Sequence, residues 1–183
     1  NGGDYLDKSV ESILEQTFSD FEFIIINDGS TDETSTILKN YQDKRIRLIE
    51  RDHKGLSSSL NEGISLSRGE YIARMDADDI SLRDRLQIQY DFMELNPFID
   101  ILGGQATIID ENGCYLNDYP IQPLRNKLIN DYLKYSPGLV HPTYFVREYV
   151  YKVLEGYRDF QTSEDYDFLL RALLPFCREA DSL

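Results

Sequence analysis

A chain of 183 residues is close to the roughly 150 that one domain takes, so a single domain with at most a small appendage is expected. Hydrophobic residues make up 41% and charged residues 28%, with 13 Tyr and 9 Phe, which supplies a core and excludes a disordered chain. Thirty-three acidic against 19 basic side chains leave a net charge of -14, which speaks against nucleic acid as a partner unless a local basic patch or a bound cation reverses the field.

The longest aliphatic stretch, Ile24 to Ile26, is far below the roughly 18 residues of a bilayer span. Cys114 and Cys177 lack any CxxC spacing, which argues against a disulfide framework and a structural zinc site and makes a reducing compartment, the cytoplasm, the expected setting. Peripheral association with the inner face of a membrane is compatible with this. Because the chain begins at Asn1, the lack of a signal peptide is uninformative.

Leu6, Val10, Ile13 and Leu14 form the stripe of an amphipathic helix over about Tyr5 to Gln16. Phe21 to Asn27 reads FEFIIIN and runs into Asp28-Gly29-Ser30, a buried strand followed by a turn. Ser30 with Glu33 makes a capping box for a helix that carries Ile37, Leu38 and Tyr41. Ile46 to Glu50 is a second strand, Leu56, Leu60 and Ile64 mark the buried edge of a helix, and Glu70 to Met75 is a third strand that ends in Asp76-Ala77-Asp78-Asp79. Ser81 is placed to cap a helix from Leu82 to Leu95, stopped by Asn96-Pro97.

This alternation indicates an α/β fold with a parallel sheet covered on both faces. The second half is mixed. Ile99 to Leu102 and Ala106 to Asp110 are short β runs with a turn at Glu111-Asn112-Gly113. There follow a helix from about Leu124 to Tyr135, a β segment at Thr143 to Val146, a helix ending near Gly156, and a last helix from Asp165 to Leu174 stopped by Pro175.

Ligands of open parallel sheets bind beyond the carboxyl ends of the strands. Asp28 follows one early strand, and Asp76, Asp78 and Asp79 follow another, so topology brings four carboxylates towards one rim. Such crowding is unfavourable without a cation, and hard oxygens without nearby His or Cys suit Mg2+ or Mn2+, which retain positions for phosphate oxygens. Each aspartate taken singly is equally an ordinary turn residue. There is no GxxxxGK[ST], and no GxGxxG follows a strand, which removes the main support for P-loop and dinucleotide sites. His53 reads as a polar loop residue, and His141, before Pro142, as a structural imidazole or a ligand contact. Ser163-Glu164-Asp165-Tyr166-Asp167 opens the last helix; its acids suit the helix dipole, and a carboxylate held there can also accept a proton from a hydroxyl.

In their order and separations, SVESILEQTFSDFEFIIINDGSTDET, GLSSSLNEGISLSRGEYIARMDADD, RLQIQYDF with the later HPTYFVR, and GYRDFQTSEDYDFLLRAL resemble the family 2 glycosyltransferases of the nucleotide-diphospho-sugar transferase (GT-A) fold. The resemblance covers nearly the whole chain. It implies a Rossmann-like catalytic domain with a mostly parallel central sheet, a nucleotide-sugar half over 1–97 and an acceptor-side half over 98–183. It further implies inverting transfer from a nucleotide sugar, a UDP-sugar by preference, to a saccharide or lipid-linked acceptor, as in cell-surface polysaccharide synthesis, with Mn2+ or Mg2+ as cofactor. On this pattern Asp28 reads the donor base, Asp76 meets the nucleotide sugar, Asp78 binds the metal, Asp165 is the catalytic base, and His141 and Arg158 contact the diphosphate or acceptor. Asn27 stands where many members have a first aspartate. Asn1 matches the last residue of the family's first strand, so a catalytic domain truncated at both ends is expected. Competing readings are a nucleotidyltransferase, whose Gly/Arg/Lys-rich phosphate loop is not found here, and a phosphoacceptor module, whose strand-end Lys is not evident.

Overall fold

The computed structural model describes residues 1–120, 139–160 and 162–180, with backbone alone for 174–180. Helix α1 (Gly3–Leu14) buries Leu6, Val10 and Ile13 on one face. Leu6 and Val10 meet Leu38 of α2 (Thr34–Asn40) above Phe23, Ile25, Ile46 and Leu48. Those four side chains come from β1 (Phe23–Asp28) and β2 (Ile46–Arg51), which pair in parallel from Phe23 opposite Ile46 to Asp28 opposite Arg51. The pair therefore ends with an acid beside a base.

Next come α3 (Leu56–Leu66), β3 (Tyr71–Ala73), α4 (Arg85–Leu95) and the short β4 (Ile101–Leu102). The antiparallel hairpin of β5 (Thr107–Ile109) and β6 (Tyr115–Asp118) turns at Gly113, whose φ of 83° is open to glycine without steric cost. A 3-10 turn, His141–Thr143, leads into β7 (Phe145–Arg147), α5 (Glu148–Val153) and α6 (Glu164–Ala180). β7 lies between β3 and β4, antiparallel to both. Successive strand residues point to opposite faces. Accordingly Phe145 packs with Leu86 and Met93 of α4, whereas Val146 joins Tyr144, Tyr151, Tyr157 and Phe168 in the other cluster.

The α/β class and the mixed second half hold, with parallel pairing among the described strands confined to β1–β2. β3 takes its partner from a strand about seventy residues later, a pairing that local alternation cannot reveal. Three local expectations are corrected. The Ser30–Glu33 box does not form, because α2 begins later and the Asp32 carboxylate accepts the N–H of Thr34 and of Gly3, each at 3.1 Å. Ser81 does not cap α4; the Gln16 side chain does so from just past the end of α1, accepting the Leu86 N–H at 2.9 Å and donating to the Leu82 carbonyl at 2.7 Å. The last helix continues past Pro175, since an internal proline removes one donor and kinks a helix without obliging it to end. Leu56, expected on a buried edge, is 49% exposed, while Leu60 and Ile64 pack as expected. The helix expected over Leu124 to Tyr135 lies outside the described residues.

Candidate active site

At the end of β1, the Asp28 carboxylate accepts three hydrogen bonds. Oδ1 takes Arg51 Nε and the Lys54 N–H, both at 2.9 Å, and Oδ2 takes the Gly55 N–H at 2.8 Å; His53 Nδ1 lies 2.9 Å from Oδ2 but makes its hydrogen bond with the Asp28 carbonyl, at 3.2 Å. Burial raises the carboxyl's pKa, but the two N–H bonds and the Arg51 guanidinium outweigh it and hold Asp28 below the usual carboxylate range. Asp28 thereby secures the loop that starts α3. Its three donors belong to the backbone and to a half-buried arginine; His53 is 78% exposed and is the neighbour of Oδ2 most easily displaced. Asn27, where an aspartate was expected, is buried and accepts the Ser30 N–H at 3.1 Å, a turn bond that an amide oxygen serves as well as a carboxylate.

At the end of β3 the buried Arg74 guanidinium grips Asp76 through both nitrogens, with Nη1 2.7 Å from Oδ2. Asp78 is exposed. Asp79 turns inward, its Oδ2 buried with no hydrogen-bond partner, and burial, then the charges of Asp76 and Asp78, push its pKa up. Arg85 at the start of α4 donates to the Arg74 carbonyl at 2.7 Å and to Gln89 at 3.0 Å. Burial lowers its pKa to about 10, against the pull of Asp79. A buried and a half-buried arginine thus stand among three acids.

The second half of the chain reaches the same rim through the backbone. The Arg74 N–H donates to the Tyr144 carbonyl at 2.9 Å, extending the β3–β7 ladder to the turn that carries His141. His141 is buried, with Nε2 3.0 Å from the Tyr157 hydroxyl and Nδ1 3.7 Å from Glu164. Burial, then the field of Arg74, lowers its pKa to about 3, so the ring is neutral at pH 7. Asp165, next along, accepts the Tyr166 N–H at 2.7 Å, and no cation lies within ion-pair distance of it among the described residues. Asp167 pairs with Arg171 at 2.7 Å and Arg158 at 3.6 Å. Arg158 is 63% exposed, and its carbonyl accepts the Ser57 hydroxyl at 3.1 Å, which ties it to the start of α3 beside Asp28's loop.

Asp76 and His141 are thus neighbours through Arg74, and Asp28 and Arg158 through the start of α3. Arg74, Arg85 and Tyr157 were not singled out from the sequence, and Glu164 only as one of the acids that open the last helix. The available signal was Arg74 itself, a charge inside an otherwise apolar strand two residues before Asp76 and so on the same strand face.

The acidic turn fits a divalent cation. Asp79 presents a desolvated carboxylate oxygen without a partner beside the free carboxylate of Asp78, and all donors are hard oxygens. Among the described residues no three His, Cys, Asp or Glu side chains form a metal-holding group. One or two carboxylates with the remaining positions left to phosphate and water is how Mg2+ is usually held. No helix of the described residues is long and apolar enough to cross a membrane.

Solved structures place this architecture. A complex of Staphylococcus aureus TarS with UDP-GlcNAc superimposes with a TM-score of 0.72 at 20% identity, over 91% of this chain and 49% of that one. The mannosyltransferase PcManGT of Pyrobaculum calidifontis, in complex with GDP-Man and Mn2+, does so with a TM-score of 0.64 at 17% identity, over 90% and 46%. These likenesses show the GT-A fold. In sequence, an uncharacterized glycosyltransferase of Methanocaldococcus jannaschii is 39% identical over 173 residues, and the O-antigen biosynthesis glycosyltransferase WbnJ of Escherichia coli is 39% identical over 172. Each match covers 92% of this chain, which spans 60% and 66% of the respective relatives. With the family model for glycosyl transferase family 2 matching residues 1–154, the chain belongs to that family.

Proposed function

We propose that the chain transfers a sugar, with inversion, from a nucleoside-diphosphate donor, a UDP-sugar by preference, to a hydroxyl of a saccharide or lipid-linked acceptor. The observation that carries this reading is that Arg74 joins the Asp76–Asp79 turn to the segment that packs on the start of α6, where, among the described residues, no cation lies within ion-pair distance of Asp165. One rim then offers both an anion-balancing metal position and a proton acceptor. TarS solved with UDP-GlcNAc, PcManGT with GDP-Man and Mn2+, and the O-antigen assignment of WbnJ support donor class, metal and a role in polysaccharide synthesis.

In this mechanism the acceptor oxygen bonds to the anomeric carbon as the bond from that carbon to the diphosphate breaks on the opposite face. The electron pair of the broken bond leaves with the nucleoside diphosphate. Asp165 takes the hydroxyl proton, and its lack of a paired cation leaves its lone pairs available for this. Asp78, with Asp79 behind it, would hold Mn2+ or Mg2+, which when bound supplies positive charge to the diphosphate oxygens. Asp28 offers Oδ2 to an N–H of the base in place of His53, Asp76 is fixed by Arg74 to meet the nucleotide sugar, and the exposed Arg158 is placed to meet the diphosphate or acceptor.

The test is Asp165→Asn, assayed for nucleoside diphosphate release from a panel of nucleotide sugars with saccharide acceptors. The amide keeps the volume but cannot take the proton, so turnover should fall about a hundred- to ten-thousandfold with donor binding retained. Parental turnover in the variant would place the base elsewhere.

A further inference from the structure

Glu164 is buried at the start of α6, its side chain 10% exposed, and His141 is the only basic residue within ion-pair distance of it among the described residues. The imidazole is itself enclosed, edge-on to Tyr144 with ring centroids 4.9 Å apart and tilted against Tyr157 at 5.4 Å. A neutral imidazole has one N–H and one bare nitrogen. Nδ1 lies 3.7 Å from Glu164, ion-pair distance but beyond a direct hydrogen bond; a carboxylate only accepts, so its field favours the proton on Nδ1 and leaves Nε2 to accept the Tyr157 hydroxyl at 3.0 Å. The Tyr151 hydroxyl lies 3.4 Å from that of Tyr157. This tautomer turns an N–H towards the carboxylate and an acceptor towards the phenol.

Tyr157 is in turn fixed from α3. The Asn61 amide donates to its carbonyl and accepts its N–H, both at 2.8 Å, and its ring stacks on Phe168 of α6 at 4.9 Å. A Cβ at Gly156, where φ is 70°, would stand 2.3 Å from Asn61 Oδ1, so only glycine lets the chain approach this closely. The line from Asn61 through Tyr157 and His141 therefore ends on the residue immediately before Asp165.

We propose that His141 and Glu164 are positioning residues, which use the Nδ1–H imidazole to fix the first turn of α6 and so aim the Asp165 carboxylate at the acceptor hydroxyl. Both are buried, so on this reading His141, expected from the resemblance to contact the diphosphate or acceptor, acts through α6 instead. The kinetic part rests on Asp165 being the base; the tautomer does not.

The chain has two histidines, so nitrogen-15 NMR of the histidine-labelled protein reads His141 beside the exposed His53. The expected spectrum has His141 protonated at Nδ1 and bare at Nε2, with both ring signals moved by Glu164→Gln and those of His53 unmoved. An Nε2-protonated His141 would overturn the proposal whatever the activity. Kinetics supply the second arm, because an Asn side-chain nitrogen falls near Nδ1 and a Gln nitrogen near Nε2. His141→Asn should keep kcat within about threefold, whereas His141→Gln should lower it about ten- to a hundredfold at unchanged donor KM, the order expected when a reacting group is misplaced by an ångström or less. Equal kcat in the two variants would reduce His141 to packing. If Asp165→Asn retained turnover while the spectrum came out as expected, the base assignment would fail and the tautomer would stand.

Discussion

Arg74 and Asp76, two positions apart at the end of β3, form a bidentate ion pair with Nη1 2.7 Å from Oδ2, and the arginine is buried. This pair divides the work of the Asp-Ala-Asp triplet. Asp76 is committed to a protein cation, which fixes its orientation, while no cation lies within ion-pair distance of Asp78 among the described residues. Arg74 and Arg85 offset two of the three carboxylate charges in the turn. Without them, holding three acids together beside a buried oxygen of Asp79 would favour protonation and weaken any metal site.

Asp78→Asn should therefore remove Mn2+- or Mg2+-dependent binding of UDP and leave the fold intact, since Asp78 is exposed and, among the described residues, its side chain makes no hydrogen bond or ion pair. Calorimetry with and without metal measures it. Metal-dependent affinity within about twofold of the parent would take Asp78 out of the metal role.

Much of this arrangement was legible in the sequence, because strand ends are marked by abrupt changes of residue type. FEFIIIN running into Asp28, and Tyr71 to Ala73 running into the acidic turn, placed these acids at strand ends from chain order alone. Partnerships across long separations were not legible. Gln16 capping α4, Asn61 bracketing Tyr157 and Arg74 beside His141 join residues about seventy to a hundred positions apart, and each is a polar side chain with an ordinary local alternative. For the same reason Ser30 and Ser81 were read as caps, whereas Asp32 and Gln16 supply those bonds.

The Asp28 carboxylate sets an expectation for the base. A carboxylate rewards a base edge carrying an N–H, as in uracil, thymine and guanine, and disfavours the bare ring nitrogen of cytosine or adenine by about 1 to 3 kcal/mol. UDP should bind best, TDP and GDP behind it, CDP and ADP much more weakly, as titration of all five at fixed Mn2+ will measure. If the base N–H replaces the imidazole on Oδ2, His53→Ala should leave this order unchanged and Asp28→Ala should flatten it. CDP or ADP binding as tightly as UDP would remove Asp28 as the reader.

Acid should expose His141. Burial, then Arg74, lowers its pKa from the ordinary 6.5 to about 3 in the folded protein, so between those values the unfolded chain binds a proton that the folded one refuses. Stability attributable to this group is complete above pH 6.5 and is lost as the pH falls towards 3, at a slope of up to about 1.4 kcal/mol per pH unit. Asp28, also held below its ordinary pKa, loses its own contribution in acid, so a single melting curve cannot separate the two. Comparison with His141→Asn does, because the variant keeps Asp28 and lacks the imidazole. Urea unfolding from pH 7 to pH 4 should give the parent a steeper decline than the variant, whatever the variant's absolute stability. Parallel declines would mean that His141 accepts a proton in the folded state, and that the enclosure formed by Tyr144, Tyr157 and Glu164 opens to water in solution.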